Sequence, residues 1–322
     1  MAIFESENRE AKMEMATVEP KRKSLSGLKI WFMEARPQYL LLPVVLVFVG
    51  TAVAWQNDGI LHMGNAVLAL LGLILCHVSV NVINDYFDYK SGVDLKTIKT
   101  PFSGGSGILP AGLLKPKQVL WYGLSCFALA VPIGVYFSIV KGWQLVPLLA
   151  LGAICVLLYT QVILKIDFPE WSPGLGLGIL PVLGAYFVQT GFYSWHALVA
   201  SVPSGILVLN LLLLNEFLDI EADKIANKRT LPIRIGGKNA AMVYSVFEIL
   251  VYFWVIGAVV FGQMPVYCLI ALLTLPFAIH AIRGSFNYKD LSKILPAMGS
   301  NVIAVLLTQA LIGAGYILAA VL

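Results

Sequence analysis

The chain has 322 residues, of which 59% are hydrophobic and 12% charged, with a net charge of +4. Soluble domains carry about 25% charged residues, so this chain has too little polar side chain to clothe a globule in water. That balance excludes a water-soluble enzyme, a nucleic-acid binder and a disordered protein, and it predicts an all-α polytopic membrane protein.

Residues 1–27 are polar and contain no apolar run, so they read as a flexible tail, neither leader nor span. From residue 28 to residue 322 the chain reads as a single transmembrane domain. A membrane helix needs about 20 mainly apolar residues. Nine such stretches follow, at 39–56, 65–84, 118–140, 144–161, 174–192, 197–216, 240–262, 265–282 and 295–321. Pro132, Pro181, Pro203 and Pro276 fall inside four of them and predict bends. Cys76, Cys126, Cys155 and Cys268 lie in apolar stretches without C-x-x-C spacing and read as small packing residues. Glu248, alone in the seventh stretch, reads as a hydrogen-bonded structural acid.

Nine crossings place the termini on opposite sides. All of the 22 Lys and Arg residues except Lys141 then fall on the N-terminal side. The positive-inside rule assigns that side to the cytoplasm, the C-terminus to the opposite side, and the protein to the plasma membrane.

Acidic residues cluster where the second and sixth stretches reach the cytoplasmic face. The second ends H-V-S-V-N-V-I-N-D-Y-F-D-Y-K-S-G-V-D, residues 77–94. On a helix His77, Asn81, Asn84 and Asp88 share one face, and Asp85 lies beside Asn81. Ser91-Gly92 breaks the pattern and leaves Asp94 on the loop beyond. The sixth ends N-E-F-L-D-I-E-A-D, residues 215–223, where Asn215, Asp219 and Asp223 share a face with Glu216 alongside. Both runs read N-[D/E]-x-x-D. Carboxylates so spaced on facing helices form a hard oxygen cage, which suits Mg²⁺ completed by a substrate's phosphates rather than zinc or iron. The four histidines, His62, His77, His196 and His280, are too dispersed for a haem or transition-metal set.

Basic residues follow the second run, among them Lys224, Lys228, Arg229 and Arg234. A diphosphate needs such cations beside its metal, and Lys228 and Arg229 are the candidates. The stretch P-F-S-G-G-S-G-I-L-P-A-G, 101–112, reads as a cover over the site or a backbone anion nest.

These motifs are similar to the N-D-x-x-D and D-x-x-x-D signatures of the UbiA superfamily of intramembrane prenyltransferases. Span count and loop order extend the resemblance over residues 28–322. It implies nine transmembrane helices around a central cavity, with a cytoplasmic-side active site. By position it implies Asn84, Asp88, Asp94, Asp219 and Asp223 as ligands of Mg²⁺, two ions bridging an isoprenyl diphosphate. It gives Asp85, Asp88, Asp219 and Asp223 catalytic roles. Asn81, Asn84 and Asn215 join Lys228 and Arg229 around the diphosphate. Gly92 stands where the family's commonest first motif has its last Asp, so Asp94, two residues on, takes that place.

The form N-D-Y-F-D-Y-K-S-G-V-D and the early A-R-P-Q-Y-L (35–40) resemble most the branch that prenylates 1,4-dihydroxy-2-naphthoate in menaquinone synthesis. The segment Y-T-Q-V-I-L-K (159–165) resembles that branch's Tyr and Lys loop, although Leu177 replaces its usual acid after G-L-G. Arg36, Tyr159 and Lys165 are thereby implied as substrate-binding residues. The implied reaction moves a polyprenyl group from its diphosphate to an aromatic acceptor inside the bilayer, with Tyr86, Phe87 and Tyr159 as aromatic faces for an allylic cation. Two other acceptors stay open, 4-hydroxybenzoate and a glycerol phosphate of ether lipids. A cation-coupled transporter is the alternative from another class. It predicts broken helices at the midplane and inverted repeats, whereas both acidic motifs here face one side. The D-x-x-D-G-x-x-A-R opening of CDP-alcohol phosphotransferases is absent, since Tyr89 follows Asp88.

Overall fold

The computed structural model describes residues 27–97 and 99–322, so the expected flexible tail lies outside the described residues except for Gly27. Every regular element among the described residues is helical. A short α1 (Gly27–Glu34) leads through a 3₁₀ turn to α2 (Leu41–Asp58), α3 (Met63–Ser91) and α4 (Pro116–Val140). After a 3₁₀ turn at Trp143–Leu145 comes α5 (Val146–Leu157), then α6 (Trp171–Thr190), α7 (Trp195–Ile225) and the single-turn α8 (Leu231–Ile235). The chain closes with α9 (Gly237–Val260), α10 (Val266–Ser285) and α11 (Leu291–Val321).

Eight of these helices are long and apolar enough to cross a membrane. The fourth expected span differs. Its apolar helix runs only from Trp143 to Leu157, about 22 Å at 1.5 Å per residue, short of the roughly 30 Å hydrocarbon layer. Leu158, Val162 and Leu164 are apolar, but they lie in turns that bend the chain back. Hydropathy registers the side chains and not that bend.

The prolines act in two ways. Pro132 and Pro203 sit inside α4 and α7. Pro181 and Pro276 instead stand at the first turn of regular α-helix after a wider or tighter one, π at Leu175–Ile179 and 3₁₀ at Val266–Thr274. A proline has no N–H to give, so it is tolerated where the ladder changes pitch. Within the bundle α7 is the central staff, with 67% of its apolar window buried against 22% for the peripheral α4. The four cysteines are free thiols. Glu248 on α9 accepts a hydrogen bond from Asn210 of α7 at 2.8 Å, the structural role expected of it.

Candidate active site

The two acidic runs meet because α3 and α7 outrun the bilayer. At 29 and 31 residues they are about 44 and 47 Å long, so their last turns carry the acids to the edge of the hydrocarbon. Gly92, left-handed at φ 83°, stops α3 there and turns the chain into the loop that holds Asp94.

Lys228 lies between the helix ends. Its Nζ is 3.0 Å from Asp88 Oδ1 of α3 and 2.9 Å from Asp223 Oδ1 of α7, with the side chain 10% exposed. The ammonium occupies the place where a cation must sit if the two acidic arms are to approach. A cavity of about 200 Å³ opens beside it. Of the residues expected from sequence, Arg36, Asn81, Asn84, Asp88, Asp94, Tyr159, Asn215, Asp219, Asp223 and Lys228 line this cavity. Its deeper wall is apolar, with Leu42, Leu177, Val208 and Leu306.

Three expected charged residues lie elsewhere. Asp85 is buried behind the wall, salt-bridged to Arg36, and its Oδ2 accepts the Ser106 N–H at 2.8 Å. Lys165 is exposed in the turn Ile163–Lys165. Arg229 is exposed beside Asp167, while its backbone N–H donates to Leu164 O at 2.8 Å. Neighbouring Lys228 and Arg229 therefore point to opposite sides of one strand of chain. Tyr86 and Phe87 pack edge to face on each other and do not line the cavity.

The glycine-rich stretch is a cover. Phe102, Ser103, Gly104 and Gly105 line the cavity, and Tyr39 Oη donates to Phe102 O at 2.7 Å. Ser106 fastens it at two points, through its N–H to Asp85 and through its Oγ to Glu34 Oε2 at 2.7 Å. Gly105 has φ 67°, and a Cβ there would stand 3.0 Å from the Asp94 carboxylate and 3.2 Å from the Arg36 guanidinium. Glycine lets the cover close onto both charges.

The electrostatics are those of crowded acids. Burial, then the negative charges of Asp85 and Asp88, lifts the Asp94 carboxyl to about 7. Glu34 is lifted to about 7 by burial and by Asp85. Sequence reasoning missed Glu34, Ser106 and Glu170, none of which belongs to a spaced pattern. Glu170 is fully buried, and its Oε1 accepts the Leu231 N–H at 2.6 Å, fixing the segment that carries Lys228. The nearest signal is that Glu34 directly precedes A-R-P.

The donor set fits Mg²⁺. It is made of hard oxygens, and Asp219 Oδ1 and both Glu216 oxygens are buried without a hydrogen-bond partner. Among the described residues no three His, Cys, Asp or Glu form a metal site by themselves. Mg²⁺ asks for less, since it takes one or two carboxylates and completes its shell with water and phosphate.

Known proteins share this chain's sequence family and its fold. The profile of the UbiA prenyltransferase family matches residues 44–308. The chain is 29% identical over 288 residues to the 1,4-dihydroxy-2-naphthoate octaprenyltransferase of Bacillus subtilis, covering 88% of this chain and 89% of that one. It is 26% identical over 272 residues to the 2-carboxy-1,4-naphthoquinone phytyltransferase of Synechocystis, covering 81% and 84%. The fold is that of a UbiA homolog from Aeropyrum pernix, with TM-score 0.63 at 15% identity over 87% of this chain and 98% of that one. A UbiA homolog from Archaeoglobus fulgidus bound to GPP and Mg²⁺ gives TM-score 0.57 at 16% identity, covering 91% of this chain and all (100%) of the other.

Proposed function

The chain belongs to the UbiA prenyltransferase family, and from that premise we propose that it transfers a polyprenyl group from an isoprenyl diphosphate to 1,4-dihydroxy-2-naphthoate. Membership makes it a prenyltransferase and sets aside the transporter alternative. The observation that carries the reading is Lys228 held between Asp88 and Asp223 at the mouth of a cavity with an apolar floor. The naphthoate relatives support the acceptor.

Asn84, Asp88, Asp94, Asp219 and Asp223 would hold Mg²⁺, taken as two ions, beside the diphosphate. Bound there, the metal supplies positive charge for the departing pyrophosphate. Lys228 exchanges a carboxylate for a phosphate oxygen and adds its own charge at the same place. The allylic C–O bond breaks, and its electron pair leaves with pyrophosphate. The ring carbon bearing the acceptor's carboxylate bonds to the allylic carbon, and the carboxylate departs as CO₂, returning its electron pair to the ring. The cover at 101–112 and the apolar floor keep water from the cation. Tyr159, on the cavity wall with the acids, supplies an aromatic side chain for the cation.

We assign residues 28–322 to one domain in the plasma membrane, with the N-terminus and acidic motifs cytoplasmic and the C-terminus opposite. The one-sided Lys and Arg distribution supports this orientation. It requires Trp143–Leu157 to complete a ninth crossing together with its flanking turns.

The test is pyrophosphate release by purified protein given Mg²⁺, geranyl or longer diphosphates, and one of three acceptors. Prenylated naphthol with loss of CO₂, abolished by chelation, is the expected result. Product from 4-hydroxybenzoate or a glycerol phosphate alone would replace the acceptor. No release with any of the three would overturn the reading.

A further inference from the structure

The chemistry above leaves one residue of the cavity wall without a task. His77 stands on the same face of α3 as Asn81, Asn84 and Asp88, and all four line the polar cavity. Three of them are engaged. Asn81 donates to Ala35 O at 3.5 Å, Asn84 donates to Thr160 Oγ1 at 3.1 Å, and Asp88 holds the Lys228 ammonium at 3.0 Å. His77 is 3% exposed, and its Nδ1 is buried with no hydrogen-bond partner. Buried polar atoms are paired in the great majority of cases, so an orphan in a cavity wall points to a group that a ligand brings.

The depth of His77 says which ligand. It lies three turns of α3 below Asp88, about 16 Å at 1.5 Å per residue. The same count down α7 from Asp223 reaches Leu211 and Leu212, which also line the cavity. The imidazole is thus set in an apolar stretch, well below the charges that hold a diphosphate. A diphosphate at Lys228 does not reach it, and an isoprenoid tail has no polar atom to offer. The aromatic acceptor has one. When its reacting carbon is turned up toward the allylic carbon, the substituent on the far side of the ring points down the cavity. In 1,4-dihydroxy-2-naphthoate that substituent is the 4-hydroxyl, and an imidazole can donate to a hydroxyl or accept from it.

Resting on the function proposed above, we propose that His77 hydrogen-bonds the remote hydroxyl of the aromatic acceptor and so selects a dihydroxylated ring. It holds the far edge of the ring while the near edge meets the allylic carbon. A site built to bond a hydroxyl rejects the analogue that lacks it, because its own polar atom is then left unpaired.

The experiment compares 1,4-dihydroxy-2-naphthoate with 1-hydroxy-2-naphthoate on the full-length protein in nanodiscs, with one geranyl or longer diphosphate throughout. The missing hydroxyl is meta to the attacked carbon, which the 1-hydroxyl still activates. Wild-type protein is expected to favour the dihydroxy acceptor at least about tenfold in kcat/KM. His77→Leu should bring that ratio to within about twofold of one, and His77→Gln, which keeps a hydrogen-bonding side chain, should retain most of it. A merely structural role would lower both acceptors together and leave the ratio alone. A wild-type ratio near one, or a ratio unchanged in a folded His77→Leu, overturns the proposal while the naphthoate reading stands. Wild-type protein that prenylates neither naphthoate ends both.

A second measurement needs no turnover. The chain has four histidines, so in protein carrying isotope-labelled histidine the ring signal of His77 is the one lost in His77→Gln. With Mg²⁺ and an unreactive geranyl thiolodiphosphate bound, the dihydroxy acceptor should shift that signal and the monohydroxy one should not. Equal shifts, or none, overturn the proposal even if naphthoate is prenylated. A selective shift without product keeps the His77 contact and removes only the reaction.

Discussion

The acidic ends of α3 and α7 look alike in sequence and are held differently. On α3 the acids are already spoken for. Asp85 is bound by Arg36 and Ser106, Asp88 by Lys228, and Asn84 donates to Thr160 Oγ1 at 3.1 Å. On α7 Asp223 is paired with Lys228 and the exposed Glu221 with Lys224, while Asp219 Oδ1 and both Glu216 oxygens are buried with no partner. Buried polar atoms are paired in the great majority of cases, and orphans mark a function or a missing ligand. One arm is therefore fastened into the fold, and the other is left to be completed by what binds.

Variants can break this comparison. The largest effect is expected at Asp219→Asn, with kcat/KM falling about a thousandfold while the detergent melting temperature holds or rises, because an unpaired acid is removed. A large stability loss there would contradict the open-arm reading. Lys228→Ala should lower kcat/KM about a hundredfold, and it should also lower the melting temperature of the ligand-free protein by leaving Asp88 and Asp223 to repel. Diphosphate titration of the same variant should show the loss mainly in binding.

Asp85→Asn belongs to the fastened arm. It takes from the half-buried Arg36 guanidinium its salt-bridge partner, leaving Asp94 beside it, a change that costs about 2 kcal/mol, read by denaturant unfolding. If it lost activity at full stability, Asp85 would be a working group and not a brace.

A smaller effect follows from Glu34 and Asp94, whose carboxyls rise from 4.5 and 3.8 to about 7. The folded protein binds these protons more tightly than the unfolded chain. Their contribution is thus complete below about pH 4 and lost as pH rises through 7. Ligand-free stability should fall across that window, and Glu34→Gln should flatten part of the slope. Least of all, Lys165→Ala and Arg229→Ala should keep kcat/KM within about twofold, since both side chains are exposed away from the cavity.

Seen from the sequence, the spans were legible because apolar runs report burial in lipid directly, and α3 and α7 were legible as partners because their acids recur at helical spacing. What spacing cannot report is which side of a loop a residue faces. Lys228 and Arg229 follow the same acidic run, and only backbone direction, fixed by the Arg229 N–H on Leu164, separates them. Glu170 and Ser106 escaped for a related reason. Each acts through one hydrogen bond to a distant segment, and a single residue leaves no period to read. The short α5 escaped because its apolar run continues past Leu157 into turns.

The ammonium of Lys228 has a consequence for turnover on the proposed reading. When pyrophosphate is ready to leave, Asp88 and Asp223 remain on either side of the lysine that has been holding it. They compete with the product for the same positive charge. The protein thus carries its own displacing anion, which eases discharge of a product that a rigid cationic pocket would retain, and each empty site returns to a neutralised resting form before the next donor arrives.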